Sequence, residues 1–268
     1  MDDEITAYYD RGRERGRLTS GAGRLEFWRT TELLGRWLPA APATVLDVGG
    51  AAGVHAFPLA ERGYAVHLLD PVELHVAQAR AVETPAPLAS VLRGDARALP
   101  FPDGSADAVL LLGPLYHLVE AADRALALRE AFRVLRPGGV VVAAAISRWG
   151  SALDGVLRGW IADEQFAAVV EEDLRTGRHR NDSRRERWFT TAYFHRPEEL
   201  AAELSTAGFT VDGPVAVEGL AGLADAHLGE LLDDPVSRER LLGLVRATER
   251  EPALLGVAGH LLARGSRP

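Results

Sequence analysis

The sequence predicts an α/β fold: a doubly wound, mostly parallel seven-stranded sheet with an antiparallel last strand, plus a helical lid and cap. Two features carry this expectation. The stretch Ala43–Phe57, ATVLDVGGAAGVHAF, runs from an apolar strand through a glycine turn into a helical pattern. That is the first half of a nucleotide-binding βαβ unit. Short apolar runs then alternate with helical patterns up to residue 146, as parallel strands joined by crossover helices do. A length of 268 residues allows one large α/β domain with a cap, or two small domains.

Composition narrows the function classes. Hydrophobic residues make up 47% and charged residues 25% of the chain, as in soluble globular proteins. The net charge of -8 argues against a nucleic-acid partner, which would favour a basic surface. There is no cysteine, so disulfides, thiolate metal sites and a cysteine nucleophile are excluded, and a reducing compartment fits. The acidic start MDDEITAYYD does not read as a signal peptide. No run approaches the roughly 18 apolar residues of a membrane span. The expectation is a cytoplasmic protein with no membrane partner; oligomeric state is not legible.

Residues 1–42 read as an N-terminal helical lid. Leu25, Trp28, Leu34 and Leu38 recur near helical spacing, and a shorter helix is expected from Ile5 to about Arg15. The core follows over 43–147. Val45–Val48 is a buried strand, and Gly49, Gly50 and Gly53 let the backbone turn and approach a ligand without a Cβ in the way. A dinucleotide fingerprint is G-x-G-x-x-G, and its glycines receive a pyrophosphate. Here Asp47 stands on the strand just before the turn. A carboxylate there repels pyrophosphate and suits a ligand with a cationic end. Strands are then expected at Ala65–Leu69, Leu88–Leu92, Ala108–Leu112 and Val140–Ile146. Residues 148–190 interrupt the alternation and read as a helical cap, with an arginine-rich stretch that fits a solvated surface. Over 191–268 the core resumes, with a helix at Phe194–Ala207 and final strands at Phe209–Val217 and Ala258–Arg264.

From Thr44 to Ser147 the chain resembles the class I S-adenosylmethionine-dependent methyltransferases. Asp47-Val48-Gly49-Gly50-Ala51-Ala52-Gly53 follows their acid-x-Gly-x-Gly-x-Gly motif, with Ala51 in place of the middle glycine. Gly94-Asp95-Ala96, Leu99-Pro100-Phe101-Pro102-Asp103 and Leu135-Arg136-Pro137-Gly138-Gly139 continue the likeness. The resemblance implies a Rossmann-like fold, S-adenosyl-L-methionine as cofactor with S-adenosyl-L-homocysteine as product, and in-line methyl transfer to a small-molecule acceptor. Two other readings stay open: an NAD(P)-binding oxidoreductase, and a cofactor-binding module without catalysis.

The candidate cofactor residues are Asp47, Gly49, Gly50, Ala51 and Gly53 of the turn, with Asp70, Pro71, Asp95, Ala96 and Leu112 at later strand ends. Asp70 ends the second strand, where an acid can accept the ribose hydroxyls or cap the next helix. The resemblance implies that Asp95 accepts from the adenine amine; a plain turn residue is the competing reading. Tyr9 and Arg17 of the lid are further candidates, Arg17 for the methionine carboxylate. His117 is the candidate general base, because it follows the fourth strand where the methyl group would be presented. Tyr8, Tyr116, Trp188 and His195 are candidate acceptor-side residues, with Tyr193 beside them. His55, His67 and His75 read as structural. No pair of histidines shares a metal-ligand spacing with a carboxylate, so no metal is expected.

Overall fold

The structure is a computed structural model, and it describes residues 5, 8–9, 14–19, 21–183 and 185–268. Its strands are β1 (Thr44–Val48), β2 (Ala65–Asp70), β3 (Ser90–Arg93), β4 (Ala106–Leu111), β5 (Leu135–Ser147), β6 (Arg178–His179), β7 (Ala192–His195), β8 (Thr210–Ala216) and β9 (His260–Ser266). The first five pair in parallel in the order β3-β2-β1-β4-β5. Strand order therefore reverses between β1 and β4, and such a switch point opens a crevice at the carboxyl ends of the strands. All six residues of β4 are buried. Both faces of the sheet are covered, which accounts for the unbroken apolar character of Val109, Leu110 and Leu111. One face packs Leu128, Ala131, Leu200 and Leu204, and the other packs Leu33, Leu34, Ala56 and Leu59.

β9 runs antiparallel to β5, from Val140↔Ser266 to Ile146↔His260, and β8 runs antiparallel to β9. All seven expected strands are present. The other two, β6 and β7, lie where the sequence reading placed cap and helix. β5 outruns β4, whose last pair is Leu111↔Ala143, so Ile146 and Ser147 are open to pair with Phe194 and His195. The helix expected from Phe194 instead spans Pro197–Thr206. Pro197 fixes its own φ and holds Arg196 extended, so the chain stays a strand up to that point. Glu199 then accepts from the Arg196 backbone N–H at 2.9 Å and caps the helix.

The long N-terminal helix spans Gly21–Trp37. It is tied to the C-terminal part of the chain by Arg29, which is fully buried and pairs with Glu249 at 2.5 Å. Arg36 reaches the same carboxylate at 2.8 Å. Of the expected lid helix over residues 5–15, only Ile5, Tyr8, Tyr9, Glu14 and Arg15 are among the described residues, and the rest of that expectation lies outside them. The cap holds helices Gly150–Leu157 and Glu164–Thr176. Asp163 caps the second by accepting from the Gln165 N–H at 3.0 Å. His179 bonds Asp173 at 2.8 Å and the Trp188 carbonyl at 2.7 Å, fastening the returning chain to that helix. The arginine-rich stretch is partly paired: Arg178 with Glu120 and Arg185 with Asp163. No helix of the described residues is long and apolar enough to cross a membrane.

Candidate functional site

A cavity of about 370 Å³ opens at the carboxyl ends of β1, β2 and β4. The turn after β1 forms its floor. Gly49 has φ +73°, and a Cβ there would fall 2.8 Å from Pro114 Cγ; a Cβ on Gly50 would fall 2.6 Å from Asp47 Oδ2. The backbone is therefore pressed against both neighbours, with no room for side chains. Ala51 stands where the motif has its middle glycine and sits at φ +49°, a left-handed conformation that costs an L-residue roughly 1–2 kcal/mol. Asp47 is buried, and its Oδ2 has no hydrogen-bond partner among the described residues. Burial, and next the nearby Asp70 charge, push its pKa up from 3.8 to about 7. A buried, unpaired carboxylate beside a Cβ-free cradle suits a cationic ligand group and disfavours a pyrophosphate.

Asp70 ties the glycine turn to the start of the next helix. Its Oδ2 accepts from the Ala51 N–H at 2.9 Å, joining β2 to the glycine turn. Its Oδ1 accepts from the Val72 N–H at 2.9 Å and bonds His75 Nδ1 at 3.1 Å. It therefore braces the next helix while lining the cavity. His75 lines the cavity too, with Nε2 unpartnered among the described residues, and meets Tyr9 edge to face at 5.5 Å. The sequence reading left His75 as structural; its signal was a histidine five residues past the strand-end acid. Asp95 accepts from Arg97 Nη2 at 2.7 Å and from the Arg97 N–H at 2.9 Å. Arg97 also reaches Asp123, so an adenine amine would share this carboxylate with a guanidinium. That bond holds the Asp95 pKa below the usual carboxylate range.

A second cavity, of about 590 Å³, lies against the cap and shares Tyr9, Arg17, Glu26, Tyr116 and His260 with the first. His117 lines the first cavity, where its Nε2 bonds the Tyr9 hydroxyl at 2.6 Å. Burial lowers its pKa to about 4, against the raising effect of the Thr191 backbone and Asp70. Arg17 forks onto Glu26 at 2.5 and 2.9 Å. The expected methionine-carboxylate partner is thus already bound to a protein carboxylate. Glu26, Glu218 and His260 bring one ligand-type atom each within 4.8 Å of one another. They come from three distant places in the chain, so no sequence spacing announced them, and Arg17 and His260 offset the two carboxylates.

All the candidate cofactor residues line the first cavity: Asp47, Gly49, Gly50, Ala51, Gly53, Asp70, Pro71, Asp95, Ala96, Leu112, Tyr9 and Arg17. Tyr8, Tyr116 and Trp188 line the second. His195 lines neither. It ends β7 in register with Ser147, is fully buried, and turns its Nε2 to Glu203 at 3.3 Å. Its ring meets Tyr193 edge to face at 4.7 Å, and Tyr193 is itself covered by Arg124 at 3.8 Å. Strand pairing, which the sequence reading missed here, aims this histidine into the protein.

Comparison with known proteins bears on the same region. Residues 46–143 match the family model described as a methyltransferase domain. An uncharacterized methyltransferase of Mycobacterium tuberculosis is 42% identical over 104 residues, which cover 38% of this chain and 39% of that relative's length. A demethylmenaquinone methyltransferase of Thermus thermophilus is 28% identical over 200 residues, covering 72% of this chain and 84% of the relative. Among solved structures, a methyltransferase from Haloferax volcanii in complex with its Trm112 activator superposes with a TM-score of 0.63 at 22% identity. That superposition covers 98% of this chain and 97% of the other, and it shows a shared fold.

Proposed function

Since the core of this chain belongs to the class I S-adenosylmethionine-dependent methyltransferase family, we propose that the protein transfers a methyl group from S-adenosylmethionine to a small-molecule acceptor held in the second cavity. The observation that carries this reading is Asp47, a buried carboxylate with one oxygen unpartnered beside a cradle that admits no Cβ. The cofactor, when bound, supplies a methyl group on a cationic sulfur. The chain's part is to hold and orient. Asp47 would face the ligand's cationic end, Asp70 would offer acceptor oxygens to the ribose, and Asp95 and Ala96 would hold the adenine. Such positioning lowers a displacement barrier by fixing the reacting atoms in line.

The acceptor side follows from the second cavity, which lies against the cap and includes the rings of Tyr8, Tyr116, Trp160, Trp188 and Phe189 in its lining. The Thermus relative is named for a small-molecule acceptor, demethylmenaquinone. Titration calorimetry with S-adenosylhomocysteine and with NADH tests the cofactor half: the first should bind and the second should not. An oxidoreductase would show the reverse order. Transfer of isotopic methyl from S-adenosylmethionine to small molecules of a cell extract tests the other half. Saturable S-adenosylhomocysteine binding with no methylated product would leave a cofactor-binding module.

A further inference from the structure

The strongest unassigned feature is the wall between the two cavities. His260 opens β9, and Glu218 lies just beyond the end of β8. The antiparallel pairing of these strands brings them together. Glu218 Oε2 accepts from the His260 backbone N–H at 3.0 Å, and its Oε1 bonds His260 Nδ1 at 2.6 Å. A carboxylate on Nδ1 fixes the ring's orientation and, in the neutral ring, keeps the proton on Nδ1. Nε2 is left with its lone pair, and the side chain is 27% exposed on a wall that both cavities share. We propose that His260, oriented by Glu218, takes the proton from the hydroxyl of a planar aromatic acceptor bound in the second cavity. This deepens the methyl-transfer reading and rests on it.

The acceptor's chemistry is read from the cavity. Tyr8, Tyr116, Trp160, Phe166, Trp188 and Phe189 line it, a setting for a flat ring. At transfer the acceptor's O–H bond breaks and its proton goes to His260 Nε2. The oxygen's electron pair forms the new bond to the methyl carbon. The electrons of the broken carbon–sulfur bond stay on sulfur, which becomes neutral.

The surrounding charges match this role. Burial alone would lower the His260 pKa, but the carboxylates of Glu26 and Glu218 outweigh it and push it up to about 9, with Arg17 opposing. His55, also beside Glu26, is held near 4 by burial and adds no charge at neutral pH. A base of this strength is matched to an aromatic hydroxyl. Below about pH 9 the free ring is an imidazolium, so an acceptor bound beside it releases its proton to solvent and is held as a phenolate against the cation; at and above that pH the neutral ring takes the proton itself.

The test uses the full chain without cofactor, with 4-nitrophenol as probe because its phenolate absorbs in the visible. Bound probe should ionise at least about one pH unit below free probe, the effect of an opposite charge a few ångströms away. His260→Gln should abolish that shift. Glu218→Gln should lower the pH midpoint of the His260 imidazole, followed by NMR, a change that lost packing would not produce. The proposal is overturned if His260→Gln keeps the shift, if 4-nitrophenol shows no saturable binding, or if the shift appears only with added Mg²⁺ or Mn²⁺ and vanishes with chelator. The last result would assign Glu26 and Glu218 to a cation. S-adenosylhomocysteine titration of the same samples reports the cofactor half separately, so failure of one reading is not mistaken for failure of the other.

Discussion

Replacing Asp47 by Asn asks whether the first cavity is built around an unsatisfied negative charge. The carboxylate is 1% exposed, and its pKa is pushed from 3.8 to about 7. At about 1.4 kcal/mol per pH unit, keeping it ionised costs the ligand-free fold on the order of 4 kcal/mol at pH 8. The sign follows from proton binding. The folded chain holds this proton to higher pH than the unfolded chain, so the contribution is intact below about pH 4. It is lost as pH rises to about 7 and is level above. Asn is nearly isosteric and has no proton to lose. Urea unfolding should therefore show Asp47→Asn more stable than wild type by about 2–4 kcal/mol at pH 8, with the curves converging near pH 4. Ligand binding should move the other way. A cationic ligand group favours ionised Asp47, so binding of S-adenosylhomocysteine to wild type should release protons at pH 6–7 and tighten as pH rises to about 7. Asp47→Asn should lose the proton release and about 1.5–3 kcal/mol of affinity. Equal stability at pH 8, or unchanged affinity in the variant, would refute the reasoning.

Asp70→Ala should weaken S-adenosylhomocysteine binding and also lower stability by about 1–3 kcal/mol, because the Ala51 and Val72 N–H groups lose their acceptor; calorimetry and urea unfolding separate the two losses, and Asp70→Asn should retain more of both. Ala51→Gly relieves the left-handed strain at φ +49° and should raise stability by about 0.5–1 kcal/mol, read as a shift in the urea midpoint. His55 and His117 are both lowered to about 4 by burial, so the folded chain binds fewer protons than the unfolded one, and stability should fall as pH drops from about 6.5 to 4. His117→Gln should remove part of that slope; an unchanged slope would count against neutral burial of this ring.

What the sequence made legible was local. The glycine turn, Asp70 and Asp95 each follow directly on a strand, and parallel pairing sets those strand ends side by side. A reader of the chain needs only strand positions to gather Asp47, Gly49, Asp70 and Leu112 around one cavity. His195 shows where this fails. It sits at a strand end as well, but β7 joins the sheet only because β5 outruns β4 by a few residues, and that length difference is a property of the pairing. The proline at 197 was the available clue, since it forbids the helix from starting at Phe194.

The same distinction explains the two histidines. His117 drew notice because it lies three residues past a Gly-Pro turn at a sheet edge, a local signal. The structure surrounds it with the Tyr9 hydroxyl and the half-buried rings of Tyr116 and Phe189, and burial outweighs the Asp70 charge and lowers its basicity. His260 carried no local signal: it begins a late apolar strand, 42 residues from Glu218 and 234 from Glu26. Both carboxylates reach it only once β8, β9 and the N-terminal helix are packed. Burial lowers both imidazoles, and what lifts His260 above its ordinary value is the pair of carboxylates, Glu26 and Glu218, within its reach. A proton acceptor in this fold is therefore fixed by which chain segments meet, and it is the long-range pairing at the antiparallel edge that singles out His260.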